Sequence, residues 1–279
     1  MPIKIFADSM CDVPREYMEK YNITVMPLTV HFGDESYRDG VDITMSQFYS
    51  KLEKSGNLPT TSQVSPLEFY NAFREELTKG NEIICINGSS ALSGTYNSAI
   101  MAKNQLETDK IHVVDSQGIT LGAGMLVIKA ARLAKKGVEA AEIVKALEDS
   151  RGRMRHIFIV DTLKYLQKGG RISFTASVLG SILNVKPILT VTDGKLVMLD
   201  KARGIKKALS VVFDMIESKQ WTLDNKIIGI NHTAAAEQAE MLKEMIMSKY
   251  NISEVIIGEV GSVVATHAGP GAVAFYFEE

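Results

Sequence analysis

The amino-acid sequence predicts an α/β fold of two domains, an N-terminal domain with a mostly parallel sheet flanked by helices and a C-terminal α/β domain with a mixed sheet. Short runs rich in Val and Ile alternate with longer helical patterns over most of the 279 residues, which is typical of strand–helix units. Asp193-Gly194 separates two apolar runs in the second half, and this pair predicts a hairpin turn. The length is above the usual size of a single domain and allows either one large α/β domain or two smaller ones.

Strands and helices alternate from the first residues to about residue 149. The predicted strands are residues 3–7, 25–32, 82–87 and 111–114. The predicted helices are residues 45–55, which Thr44 caps, followed by 66–79, 96–106, 121–136 and 139–149. These elements together form the first domain.

A polar, basic segment, DSRGRMRH at residues 149–156, predicts the domain boundary, and we divide the chain into residues 1–152 and 153–279. The second domain is expected to contain strands at residues 156–160, 186–191, 195–200, 226–231, 254–260 and 272–277. Its predicted helices are residues 205–218 and 234–250. Because a hairpin occurs among crossover units, a mixed sheet is expected there.

Composition argues against several classes of protein. The formal net charge of -2 and the pI near 6.3 lack the basic excess of nucleic-acid-binding proteins. Cys11 and Cys85 lie far apart and suggest neither a disulfide nor a metal site. There is no run of ~20 apolar residues for a membrane span, no signal-peptide pattern in MPIKIFADS and no phosphate-binding glycine motif. We therefore expect a cytoplasmic protein without a metal or nucleotide cofactor.

Two hydroxyl-rich loops are candidates for binding an anion. In INGSSALSGTYNSA, residues 86–99, Ser93 lies near a predicted helix N-terminus, where unpaired N–H groups favour a carboxylate. In LPTTSQVSP, residues 58–66, the hydroxyls of Thr60, Thr61 and Ser62 are neutral donors. Each loop is equally consistent with ordinary helix capping.

Acidic and hydroxyl residues follow two of the predicted strands. Asp8-Ser9 and Asp115-Ser116 lie at carboxyl ends of strands, where open α/β sheets bind ligands. They could form a shared polar rim, or each pair could cap a helix.

Arg171 and His267 stand in glycine-rich segments. Arg171, in QKGGRIS, could approach an anion closely or be a solvated surface group, and His267 could be structural. The Gly-Pro-Gly that begins at Gly269 predicts a sharp turn that holds the imidazole at the edge of the last sheet. A Ser93/His267 esterase is one alternative, although ALSGT lacks the G-x-S-x-G nucleophile motif, and a carrier of another small acid is a second.

The chain resembles the DegV family of bacterial fatty-acid-binding proteins. The resemblance rests on eight strings in family order and spacing: DSMCDVP, TTSQVSP, SSALSGTY, VVDSQ, KGGRIS, KPIL, DKARG and HAGPGA. Val64 departs from the pattern, because the family often has proline after TSQ.

The resemblance implies that one long-chain fatty acid, of the palmitate, stearate or oleate class, is held between the domains. It assigns the carboxylate to Thr61, Ser93 and His267, and gives no residue a catalytic role. Ser62, Gly94 and Thr95 lie in the same hydroxyl-rich loops, Arg171 resembles the family arginine near that network, and Gly269 is counted with the site. Arg203, in DKARG, resembles a position for docking a partner. The resemblance implies that this partner is a separate ATP-dependent fatty acid kinase, whose acyl phosphate product feeds phospholipid synthesis.

The tail requires an apolar tunnel. Burial of about 14 methylenes at ~0.8 kcal/mol each contributes roughly 11 kcal/mol, while association costs ~4–15 kcal/mol. The apolar residues of one segment near Arg171 could line this tunnel or belong to ordinary core packing. They are Phe174, Val178, Leu179, Ile182 and Leu183.

Overall fold

The computed structural model describes residues 1–172 and 184–279. Its first sheet contains four parallel strands in the order β2-β1-β6-β7, numbered along the chain. They are β1 (Ile3–Asp8), β2 (Thr24–Met26), β6 (Glu82–Asn87) and β7 (Ile111–Asp115). Helices cover both faces of this sheet, and its central strands are therefore apolar on both sides.

The helices of the first sheet form two layers. One layer consists of α3 (Pro66–Thr78) and α4 (Thr95–Leu106), whose Phe73 and Ala99 pack against Phe6 and Cys85. The opposite layer consists of α5 (Thr120–Lys135) and α6 (Ala140–Arg153). Capping boxes at Thr44 and Ser65 begin α2 (Met45–Lys54) and α3.

The second sheet is mixed and contains six strands in the order β10-β9-β8-β13-β11-β12. Only the β11–β12 pair is parallel among the pairings of this sheet in the described residues. The strands are β8 (Met154–Ile159), β9 (Val185–Thr192), β10 (Lys195–Arg203), β11 (Ile227–His232), β12 (Glu254–Glu259) and β13 (Val273–Glu278). Its outer face packs against α8 (Ile205–Ser218) and α9 (Ala236–Lys249).

The helix α5 lies between the two large sheets. It contacts β1 and β6 on one side and β8, β11 and β13 on the other. One continuous apolar cluster consequently joins Ile84 and Ile86 of the first sheet to Leu189 and Tyr276 of the second. The inner face of the second sheet thus faces α5 and the first sheet.

Smaller elements complete the region between the sheets. A three-stranded antiparallel sheet is formed by β4 (Glu35–Arg38), β3 (Thr29–Phe32) and β5 (Thr60–Ser62). Three short helices are α1 (Arg15–Tyr21), α7 (Lys164–Lys168) and α10 (Ser262–Ala268), and Ser9–Cys11 forms a 3-10 turn. The helix α10 packs against β3 and β5.

The predicted fold class is confirmed, and three local predictions are wrong. Residues 25–32 form two strands in different sheets, because Pro27 lacks the N–H that a continuous ladder needs. Residues 60–62, predicted as a loop, pair with β3. Residues 149–156 contain no break, because α6 continues to Arg153 and β8 begins at Met154. The division into residues 1–152 and 153–279 falls at this junction and stays a proposal.

Candidate functional site

A cavity of about 280 Å³ lies between the inner face of the second sheet and loops of the N-terminal half, and its volume is close to the ~300 Å³ lower end of small-molecule pockets. Its wall is mainly apolar and comes from both halves of the chain. The N-terminal half supplies Met10, Leu28 and Ile119, and the C-terminal half supplies Phe158, Leu189, Leu196, Val263 and Ala274. The polar residues of the wall also come from distant segments.

Thr61 and His267 meet on the wall of the cavity. Thr61 Oγ1 lies 2.9 Å from His267 Nε2, so the hydroxyl and the imidazole are hydrogen-bonded. Burial, with the Arg171 charge as a smaller cause, lowers the pKa of His267 to about 4. The ring is therefore neutral near pH 7 and acts as a hydrogen-bonding group rather than a cation.

The sequence had suggested that a turn holds His267 at the edge of the last sheet. The helix α10 sets its position instead. His267 occupies the last turn of α10, and Gly269 ends the helix with φ 71° and ψ 173°, a conformation essentially restricted to glycine. The Thr233 hydroxyl donates to the Gly269 carbonyl at 2.6 Å and ties this end to β11. Gly-Pro-Gly thus ends a helix before β13 begins.

The KGG segment packs against the other edge of the imidazole. A Cβ at position 169 would lie 2.2 Å from His267 Nδ1, so only glycine permits this approach. Arg171 follows, with Nη1 donating to the Gly169 carbonyl at 2.6 Å and Nε donating to the Leu92 carbonyl at 3.3 Å. These bonds place a guanidinium on the cavity wall beside the loop that contains Ser93.

Ser93 lies just before α4. Gly94 is the N-cap residue, and Ser93 Oγ accepts from the Thr95 N–H at 3.3 Å and lies 3.0 Å from Thr95 Oγ1. Ser93 is half-buried and lines the cavity, whereas Thr95 is fully buried and does not. Ser93 therefore bonds locally to Thr95 and also lines the cavity next to the N-terminus of α4.

The carboxylates at the ends of β1 and β7 support this loop. Asp8 accepts from the Asn87 amide and from the Gly88 N–H, and it also caps the turn at Met10. Asp115 accepts from both the backbone N–H and the hydroxyl of Ser90. Burial raises the pKa of Asp8 to about 6, although its hydrogen bonds oppose the shift. Both acids bind protein groups of the loop that leads to Ser93.

Six of the residues proposed from the sequence line the cavity. They are Thr61, Ser62, Ser93, Gly94, Arg171 and His267. Thr95 and Gly269 lie behind this wall, and Arg203 is exposed at the end of β10. The proposed tunnel residues Phe174, Val178, Leu179, Ile182 and Leu183 lie outside the described residues. Their assignment stays a prediction.

Sequence reasoning missed several lining residues. Gln63 follows β5 and donates to Ser98 Oγ at 2.8 Å. Asn231 and Tyr276 line the cavity from β11 and β13. The one available signal was the amide of Asn231 within the apolar run IIGIN, which is unusual for a buried strand.

The geometry does not favour the Ser93/His267 esterase. His267 Nε2 contacts Thr61, while Ser93 Oγ contacts Thr95. His267 Nδ1 is buried, and within residues 1–172 and 184–279 no acidic group hydrogen-bonds to it. A serine triad requires a base on the nucleophile and usually an acid that orients the base.

Two kinds of feature are absent from residues 1–172 and 184–279. No group of three or more His, Cys, Asp and Glu side chains there could hold a metal ion. No helix there is both long enough and apolar enough to cross a bilayer.

Comparisons with known proteins cover nearly the whole chain. The family model described as "Uncharacterised protein, DegV family" matches residues 2–279. A DegV domain-containing protein of Caldanaerobacter subterraneus is 42% identical over 277 residues, 99% of each chain. Protein DegV of Bacillus subtilis is 35% identical over 278 residues, 98% of each chain.

Solved structures with fatty-acid-binding descriptions share the fold. A DegV family protein from Thermus thermophilus, described by its fatty acid binding, has a TM-score of 0.93, 31% identity and complete coverage of both chains. DegV of Bacillus subtilis, described as a fatty acid binding protein, has a TM-score of 0.86, 33% identity and complete coverage of both. A stearic acid-binding protein from Eubacterium ventriosum has a TM-score of 0.87 and 29% identity, with 99% of this chain and 98% of that chain covered.

Proposed function

This chain belongs to the DegV family, and we propose that it binds one long-chain fatty acid and presents the carboxylate to a separate ATP-dependent fatty acid kinase. The observation that carries the proposal is the meeting of Thr61 and His267, with Ser93 on the same wall, beside an apolar cavity. The fatty-acid-binding relatives of the same fold support the ligand class.

The three side chains suit a carboxylate that has to react. A serine hydroxyl and a threonine hydroxyl can each donate to an oxygen, and a neutral imidazole can donate through one nitrogen. Such neutral donors hold the head group without the tight ion pair that a lysine would form. One carboxylate oxygen then stays available for transfer of a phosphoryl group from the kinase.

Arg171 completes the electrostatics of the proposed head-group site. Its guanidinium is fixed through two backbone carbonyls, so its charge stabilises a nearby anion from a set position. Thr95 and Gly269 act from behind the wall, Thr95 against Ser93 and Gly269 at the end of α10. Ser62 and Gly94 contribute lining atoms.

Affinity comes mainly from the tail. Palmitate, stearate and oleate each bury more than ten methylene or methine groups, and at ~0.8 kcal/mol for each CH₂ this offsets an association cost of ~4–15 kcal/mol. The apolar wall between the sheets supplies the surroundings for such a tail. No nucleic-acid partner and no cofactor enter this proposal, which places the protein in the cytoplasm and its product in phospholipid synthesis.

The lipid that accompanies the purified protein tests the ligand. Organic extraction and mass spectrometry should recover about one long-chain fatty acid per chain. A delipidated sample should take up added oleate or palmitate with the same stoichiometry. Repeated recovery of no lipid, together with no uptake, would remove the proposal.

Arg203 tests the kinase step separately. Its side chain is exposed at the end of β10 and does not line the cavity. Arg203→Ala should lower the rate of kinase-coupled acyl-phosphate formation while the fatty acid dissociation constant stays unchanged. Lys201→Ala, a matched loss of one exposed charge on the same strand, should affect neither quantity. Equal losses of binding and turnover in Arg203→Ala would show a structural role instead.

A further inference from the structure

A buried amide interrupts the apolar inner face of the second sheet. Asn231 lies on β11 opposite Ala274 of β13, is 1% exposed and lines the cavity. Phe158 and Leu189 on the same face are apolar lining residues. A plain alkyl tail would be matched better by a leucine at this position.

The oxygen of this amide is already used. Tyr276 donates its hydroxyl to Asn231 Oδ1 at 2.8 Å, and the Thr120 hydroxyl is hydrogen-bonded to the same tyrosine. Burial raises the pKa of Tyr276, which keeps its hydroxyl protonated and able to donate. The Tyr276 bond therefore occupies one lone pair of Oδ1 and fixes the amide so that its nitrogen is a separate donor.

The nitrogen has no such partner. Asn231 Nδ2 is buried, and within residues 1–172 and 184–279 no acceptor lies within hydrogen-bonding distance of it. Buried donors without a partner are costly and rare in folded proteins. An amide that lines a ligand cavity and has a free donor is therefore suited to an acceptor atom on the ligand.

The backbone next to this cluster adds a second observation. Thr120 begins α5 with φ 55°, the left-handed region that β-branched residues rarely adopt. This conformation accompanies the contact of its hydroxyl with Tyr276. Backbone strain of this kind concentrates at binding sites, where it fixes polar groups in place.

We propose that Asn231 forms a second polar subsite, which accepts an oxygen atom carried on the acyl chain, so that the cavity takes hydroxylated or oxo fatty acids. The inference rests on the proposed function, because the carboxylate must first be held at Thr61, Ser93 and His267. Among the described residues, no hydrogen bond joins Asn231, Tyr276 or Thr120 to those three side chains.

A positional series of ligands tests the subsite. Delipidated protein is titrated with stearate and with monohydroxystearates whose hydroxyl moves along the chain, and dissociation constants are measured by calorimetry. One isomer should bind about tenfold more tightly than the rest of the series, which corresponds to one hydrogen bond. Asn231→Leu should abolish that preference and still bind stearate.

A second substitution at position 231 separates loss of the subsite from loss of folding. If Asn231→Leu does not fold, Asn231→Ala is judged by the same loss of preference, with stearate binding as the measure of an intact site. Stearate binding with equal or weaker binding of every isomer would overturn the subsite and leave the proposed function standing. A preference that persists in both variants would also overturn it. Failure to bind stearate and all isomers would remove the proposed function itself.

Discussion

The hydrogen bond between Thr61 and His267 gives the sharpest test of the head-group site. Thr61→Val removes the hydroxyl but keeps the side-chain shape and the strand preference of β5. In the bound state one donor to a carboxylate is lost, and a hydrogen bond to a charged group contributes ~1.5–3 kcal/mol. The fatty acid dissociation constant should therefore rise about 10- to 150-fold. Calorimetric titration of delipidated protein with oleate measures this change.

The variant should also affect the ligand-free protein. Thr61 Oγ1 and His267 Nε2 are 2.9 Å apart and part-buried, and loss of their hydrogen bond should lower the free energy of unfolding by about 1 kcal/mol. Urea denaturation measures that difference. A double variant with His267→Gln should show a non-additive effect of more than about 0.5 kcal/mol, because the two residues are in contact.

Thr60→Val is the matched control for Thr61→Val. Thr60 is the preceding residue of β5, is exposed and does not line the cavity. The control should bind oleate as the natural protein does. If Thr61→Val and Thr60→Val had the same dissociation constant, the assignment of Thr61 to the head group would be refuted.

Three further outcomes are expected. Ser93→Ala should raise the fatty acid dissociation constant about 10- to 150-fold and lower the free energy of unfolding by about 1 kcal/mol or less, as measured by calorimetry and urea denaturation; unchanged affinity would contradict the assignment. The pKa of His267 is lowered to about 4 in the folded protein, so its contribution to stability is present above pH 6.5 and is lost as pH falls toward 4. His267→Gln should therefore lose about 2 kcal/mol less than the natural protein between pH 7 and pH 5 in urea denaturation, and identical losses would show that the ring titrates normally. Gly269→Ala should lower the free energy of unfolding by more than ~2 kcal/mol, because of backbone strain and because its Cβ would lie 2.3 Å from Tyr165. Gly170→Ala is the control: Gly170 has φ 69° but open space around it, so the substitution should cost only ~1 kcal/mol. Equal costs for the two variants would refute the steric argument.

Local patterns in the sequence were enough to predict most regular elements. The apolar strand β6 and the helix α8 occur at the predicted bounds, and Asp193-Gly194 forms the hairpin turn with positive φ at both residues. These features depend on hydrophobic periodicity and on turn chemistry within a few residues. The hydroxyl-rich loops could also be identified from the sequence, because their Ser and Thr residues lie within a few positions of one another.

Small elements escaped the sequence reasoning because their stability comes from distant contacts. The strand β5 has only three residues and exists through its pairing with β3. The helix α10 has seven residues. The N–H groups of Gly261 and Ser262 at its N-terminus donate to the carboxylates of Asp12 and Asp39, which are far away in sequence. Isolated helices of this length are not stable in water, so no local signal was available.

What the sequence specified alone was therefore which residues could bind a carboxylate, since hydroxyls, glycines and a histidine stand out from the apolar pattern around them. Only the tertiary structure decided which of them meet. Thr61 and His267 are 206 residues apart, and their contact follows from the packing of α10 on β5. The tertiary structure likewise decided that the Asn231 amide is a buried donor without a partner among the described residues, because a donor lacks a partner only when the surrounding chain has excluded water from it.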